Sequence, residues 1–189
     1  MLIISKTEFN KKYKRIIEEM KNCIFIHPTD TIYGIGCDAT NKELVEKIRI
    51  AKKRPTDPFS VIAPSREWII ENAVMNKKTE EWLNKLPGPY TLIIKLKNKN
   101  AVAENVNPGM DTLGIRIPDH WFSEAVEKIG VPVITTSANP SGEEFMVEIE
   151  DLHKDLMDIC DYAFYEGPKK GRPSDIINLE KENIEIKKR

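Results

Sequence analysis

The stretch TTSANPSG, residues 135–142, sets two threonines, two serines and an asparagine directly after the apolar run VPVI. A hydrophobic core cannot satisfy so many hydroxyls and amides. They serve either a serine nucleophile or a ligand held by a row of hydrogen-bond donors. A nucleophile needs a base and, in an α/β hydrolase, the glycines of GxSxG. Ser137 lacks those glycines, and His27, His120 and His153 stand in no recognisable triad context. In an extended strand Val133, Thr135 and Ser137 share one face, joined by Asn139 if extension continues, while Ile134 and Thr136 take the other.

TLGIRIP divides in the same way: Leu113, Ile115 and Ile117 on one face, Thr112, Gly114 and Arg116 on the other. An arginine beside a threonine suits a carboxylate or phosphate, because its planar fork and the hydroxyl offer several donors. A solvated face of an antiparallel sheet accounts for the same pattern. In IAKKRPTDP, Pro55 keeps Arg54 out of the helical region, so the helix ends near Lys53 and Lys52 and Arg54 can converge on one anion. Lysines that merely complement a helix dipole are the alternative. PTDTIYGIG, residues 28–36, packs hydroxyls, a carboxylate and glycines into one bend at a strand end, and GPKKGRPSD, residues 167–175, could wrap an anion. Either could also be a plain turn. The patterns GxxxxGK[ST], GxGxxG after a strand and HExxH are absent.

These residues need a scaffold, and 189 residues with 40% hydrophobic content support one globular domain, residues 1–189. A formal net charge of −1 shows no global basic excess, so a polyanion site must be a local cluster. Cys23, Cys37 and Cys160 are odd in number and widely spaced, which argues against a disulfide framework or a zinc site and fits a reducing, cytoplasmic setting. The N-terminal apolar stretch is too short for a signal peptide, and no run approaches the length of a membrane span.

The periodicities predict a surface helix after Thr7, a strand at CIFIH, and a helix opened by a Thr40/Glu43 capping box. FSVIA, YTLIIKLK, TLGIRIP, VPVITTS, YAFYEG and DIINLE read as further strands. Helices follow Ser65 and fall around Trp82, over residues 119–130 and near residues 147–160. Strands and helices interleave without strict βαβ regularity, so the expected class is α/β, with an open twisted sheet of mixed direction and flanking helices.

Taken in order, PTDTIYGIGCDATN, KKRP, LPGPYTLIIK, GIRIPDH, TTSANPSG and GRPSDIINL resemble the YrdC/TsaC family of threonylcarbamoyl-AMP synthases from about Cys23 to about Leu179. The family's KxR and SxN elements match Lys52, Arg54, Ser137 and Asn139. The resemblance implies a twisted α/β sheet around a basic cavity. It also implies condensation of L-threonine, bicarbonate and ATP, with Mg²⁺, into threonylcarbamoyl-AMP and pyrophosphate. The group would then pass to tRNA through a downstream tRNA threonylcarbamoyltransferase.

By the same resemblance Thr31 and Arg116 would contact threonine, with Thr135 nearby. Lys52, Thr112, Ser137, Ser141, Arg172 and Ser174 would lie on the nucleotide side, and Arg54 and Asn139 would shape the shared pocket. RPTDPF is one residue shorter between its prolines than the family pattern, Pro140 replaces a leucine, and Phe145 and Met146 fall where longer members carry a serine. Ile62 stands where longer members have a histidine, and the chain stops at Arg189 without their extra C-terminal domain. A module that binds tRNA or double-stranded RNA without catalysis, and a YciO-like paralogue of other activity, are the competing expectations.

Overall fold

The computed structural model describes residues 1–189. Ten strands form one sheet: β1 (Leu2–Ile4), β2 (Phe25–His27), β3 (Gly34–Gly36), β4 (Ser60–Ile62), β5 (Tyr90–Lys95), β6 (Thr112–Arg116), β7 (Val133–Ser137), β8 (Tyr162–Phe164), β9 (Asp175–Asn178) and β10 (Glu185–Lys187). Their order across the sheet is β1-β8-β2-β3-β7-β4-β6-β5-β9-β10, with parallel and antiparallel pairs mixed. The expected class is therefore the observed one.

Register explains why one face is apolar. Ile134, Val61, Ile115, Leu92 and Ile177 lie opposite one another across β7, β4, β6, β5 and β9, and all five are fully buried. Each side chain so buried is worth about 1.5–3 kcal/mol. Against this face pack α2 (Lys42–Ala51), α3 (Arg66–Asn72), α4 (Lys77–Leu83) and α6 (Lys154–Met157). On the other face α1 (Lys6–Met20) and α5 (Phe122–Ile129) cover Phe25, Ile62, Val133 and Phe164. That cover stops short of the neighbouring row Thr135, Ser60, Gly114 and Ile93, of which Thr135, Ser60 and Ile93 line a cavity.

Several local expectations are corrected. Helix α2 is capped by Asn41, whose side chain accepts from Glu43 and Leu44 N–H; Thr40 instead donates to Asp38. It ends at Ala51, two residues earlier than expected, with Lys52 as C-cap and Lys53 left-handed at φ 52°. The stretch near 147–160 is a 3₁₀ turn, Ile149–Asp151, followed by the short α6 rather than one helix. The GIG of PTDTIYGIG is a strand, β3, not a bend. Its glycines are required by close neighbours: a Cβ on Gly34 would come within 2.9 Å of the His27 ring, and one on Gly36 within 2.3 Å of the Ile134 carbonyl oxygen.

Candidate active-site cavity

The cavity of about 240 Å³ opens over the polar row of β7, β4, β6 and β5. Gly114 makes room in it, since a Cβ there would meet Ser60 Oγ at 2.4 Å. Two residues further along β6 on the same face, Arg116 is 5% exposed and sits where the helical cover ends. Its guanidinium pairs with the Asp30 carboxylate and donates to Thr31 Oγ1 at 3.3 and 3.4 Å. Asp30 in turn accepts the Asp119 N–H at 3.1 Å. Arg116 Nε is buried without a partner. An unmade bond of that kind costs about 1–3 kcal/mol.

The PTDT bend is tied by its own hydroxyls. Thr29 Oγ1 accepts the Thr31 N–H at 3.1 Å, shares a hydrogen bond with Thr31 Oγ1 at 2.9 Å and donates to the Ile32 carbonyl at 2.8 Å. Residues 167–173 cross over this bend so closely that a Cβ on Gly171 would come within 1.9 Å of the Thr31 carbonyl oxygen. Tyr33 fastens that strap, donating to the Gly167 carbonyl at 2.7 Å and accepting the Glu166 N–H at 3.0 Å. The Glu166 carboxylate takes donors from Lys169, Trp121 and His120. Burial raises its pKa, but these donors outweigh burial and bring it down to about 2.

At the other end Lys52 is 2% exposed, and its ammonium donates to the Ser137 and Asn139 carbonyls. Its own carbonyl accepts the Ser141 N–H at 2.9 Å, so the KxR and SxN elements are stitched to each other. Burial, with repulsion from Arg54, pulls Lys52 down to about 7. Asn139 Nδ2 donates to the Glu143 carbonyl at 2.6 Å. The loop beyond Arg54 is braced from beneath by Arg49, buried at 3% exposure, which donates to the Arg54 and Asp57 carbonyls at 2.8 and 3.0 Å.

Of the expected site residues, Thr31, Arg54, Arg116, Thr135, Ser137 and Ser174 line the cavity together. Lys52 and Asn139 stand behind its wall, while Ser141 and Arg172 are exposed outside it. Thr112 lines a separate open depression with Lys99, Asn107 and Asp111. No histidine hydrogen-bonds a cavity serine: His27 faces Pro28, His120 faces Glu166, and His153 lies by Asp155.

Arg189 was given no role by its sequence context of lysines, yet it lines the cavity and donates to Ser174 O and Oγ at 3.0 and 3.2 Å. Ser60 was within reach of the alternation argument, and Asp30 lay inside a motif already singled out for its carboxylate. Arg54, Arg116 and Arg189 thus share a cavity that no aspartate or glutamate lines. Burial lowers all three pKa values, and repulsion from Arg54 on Arg189 and from Arg189 on Arg116 adds to it. Such a site favours anionic ligands.

A family model described as "Telomere recombination", covering Sua5, YciO and YrdC proteins, matches residues 20–189. A Methanocaldococcus jannaschii protein named as a putative threonylcarbamoyl-AMP synthase is 34% identical over 96% of this chain and 89% of its own length. Sua5 from P. abyssi, solved with L-threonine, superposes with a TM-score of 0.85 at 24% identity; this chain spans 56% of that one. E. coli YciO has the same fold at a TM-score of 0.84 and 21% identity, over 99% of this chain and 93% of its own. On a sequence match that takes in the KxR, SxN and PTDT elements alike, this chain belongs to the Sua5/YciO/YrdC family.

Proposed function

We propose that the chain is an L-threonylcarbamoyladenylate synthase, which condenses L-threonine, bicarbonate and ATP into threonylcarbamoyl-AMP and pyrophosphate. The observation that carries this is the cavity itself: three arginines and a row of hydroxyls, with no lining aspartate or glutamate. An amino-acid carboxylate and a triphosphate are the anions that this charge would balance. The names of the relatives support the same reaction.

In this reading the threonine carboxylate pairs with Arg116 on the cavity wall, and Thr31 and Thr135 sit beside it. Arg54 and Arg189 face the phosphates. The threonine amine and bicarbonate give a carbamate and water. A carbamate oxygen then bonds to the α-phosphorus as the bond to pyrophosphate breaks. The protein's task is alignment and charge neutralisation, so no protein nucleophile is needed.

No group of three or more His, Cys, Asp or Glu side chains converges to hold an ion. Mg²⁺ is therefore taken to enter on the triphosphate as part of the substrate. The product's onward route in this proposal is to tRNA, through a separate tRNA threonylcarbamoyltransferase. A cytosolic setting is part of the same proposal, supported by three buried free cysteines; no helix is long and apolar enough to cross a membrane.

The test is incubation of purified protein with ATP, Mg²⁺, bicarbonate and labelled threonine. Threonylcarbamoyl-AMP should form with one pyrophosphate each. Pyrophosphate release indifferent to threonine would point to another activity on this fold, and tRNA retention without product would point to an RNA-binding module.

A further inference from the structure

The loop after the SxN turn carries an aromatic ring that the fold does not use. Asn139 Nδ2 holds the Glu143 carbonyl, and the Met146 N–H donates to the Ala138 carbonyl at 3.2 Å, so residues 143–146 fold back along the end of β7. Met146 is fully buried in the main core, whereas its neighbour Phe145 faces the cavity. Phe145 is only partly buried, joins neither hydrophobic cluster and stacks on no other ring. By contrast Phe9, Phe25, Phe122 and Phe164 pack ring against ring. Tyr33, the other aromatic on the cavity wall, is fully buried and has its hydroxyl committed to Gly167.

Phe145 also stands at the right end. Its loop is anchored to Ala138 and Asn139, the turn that Lys52 stitches to the KxR segment, and Arg54 lines the same cavity. A flat apolar surface in the same cavity as a guanidinium meets the needs of a base attached to a phosphate chain. We propose that Phe145 is the platform on which the nucleobase of ATP stacks, a proposal that rests on the nucleotide-dependent function given above. Every base has a π-face, so this contact supplies affinity without choosing among bases.

The experiment is calorimetric titration of wild type, Phe145→Ala and Phe145→Trp with ATP, GTP, inorganic tripolyphosphate and threonine, in the presence of Mg²⁺, with melting temperature as the folding control. Phe145→Ala should weaken ATP and GTP by the same factor, about tenfold to a hundredfold. Tripolyphosphate and threonine should bind as in wild type, and Phe145→Trp should restore the nucleotides. Unchanged ATP affinity in Phe145→Ala, with wild type binding ATP, overturns the platform and leaves the function standing. Equal loss of tripolyphosphate and ATP also overturns it, since the ring would then shape the phosphate end. Wild type that binds no ATP overturns both.

Discussion

The Lys52 ammonium lies 2.6 Å from the Ser137 carbonyl, within the cavity wall rather than in the lumen. The lysine of KxR thus acts on the SxN turn, and only through it on a ligand. Lys52→Met should leave the Asn139 carbonyl without its donor, at about 1–3 kcal/mol for a group left unsatisfied, while the Ser137 carbonyl keeps the Asn139 N–H. A brace supports the whole nucleotide, so ATP and AMP should weaken by the same factor in calorimetry. A loss confined to ATP would mean that the ammonium reaches the β- or γ-phosphate instead.

Arg116 lines the cavity with its guanidinium anchored by Asp30 and Thr31. Arg116→Ala should reduce threonine affinity by about 2–5 kcal/mol, as for truncating one partner of a buried charge pair, and ATP affinity far less. Arg116→Lys should rescue little, since an ammonium cannot serve Asp30, Thr31 and a carboxylate in one plane. Equal losses for both ligands would reassign the residue.

The Glu166 anchor of the strap has a defined pH window. Its folded pKa, about 2, lies below the ordinary 4.5, so the folded state binds fewer protons than the unfolded one between these values. The stability it contributes is present above the higher value and is lost as pH falls toward the lower. Melting temperatures of wild type and Glu166→Gln should therefore differ at neutral pH and converge on acidification through that window. A difference that persists undiminished at the acid end would remove the carboxylate from this role.

Gly114 is a space reserved for Ser60. Gly114→Ala should push the Ser60 hydroxyl, otherwise 2.4 Å from the new Cβ, into the cavity or force β4 and β6 apart. Activity should fall, and Ser60→Gly in the same chain should recover part of it. No recovery would mean that the contact with Thr91 Cγ2, at 3.3 Å, is the limiting one.

Alternation is the most informative sequence signal, because it is a property of single strands: Thr135 with Ser137, and Arg116 opposite Ile115, lie on the expected faces, whereas Thr136, expected on the other face, also reaches the cavity where β7 ends. It says nothing of distance along a strand. Thr112 shares Arg116's side of β6, but four residues at about 3.3 Å each separate them, and it lines another depression. The direction of Lys52 was illegible for a different reason. It caps a helix whose end is set by the left-handed Lys53 and by the docking of residues 137–141, both tertiary facts. The strands β1, β3 and β10 are three residues long and too short to show a period. The pairing of Asp30 with Arg116 and the bracing role of Arg49 depend on residues distant in sequence being brought alongside.

The buried row Ile134, Val61, Ile115, Leu92 and the cavity row Thr135, Ser60, Gly114, Ile93 are neighbours on the same four strands. A slip of one residue in any pairing would exchange isoleucine for hydroxyl and turn the binding surface into the packing surface. Misregistered chains are thus poor folders and inert at once. Substitution at alternate positions, rather than backbone rearrangement, is the route by which ligand preference on this sheet can be altered.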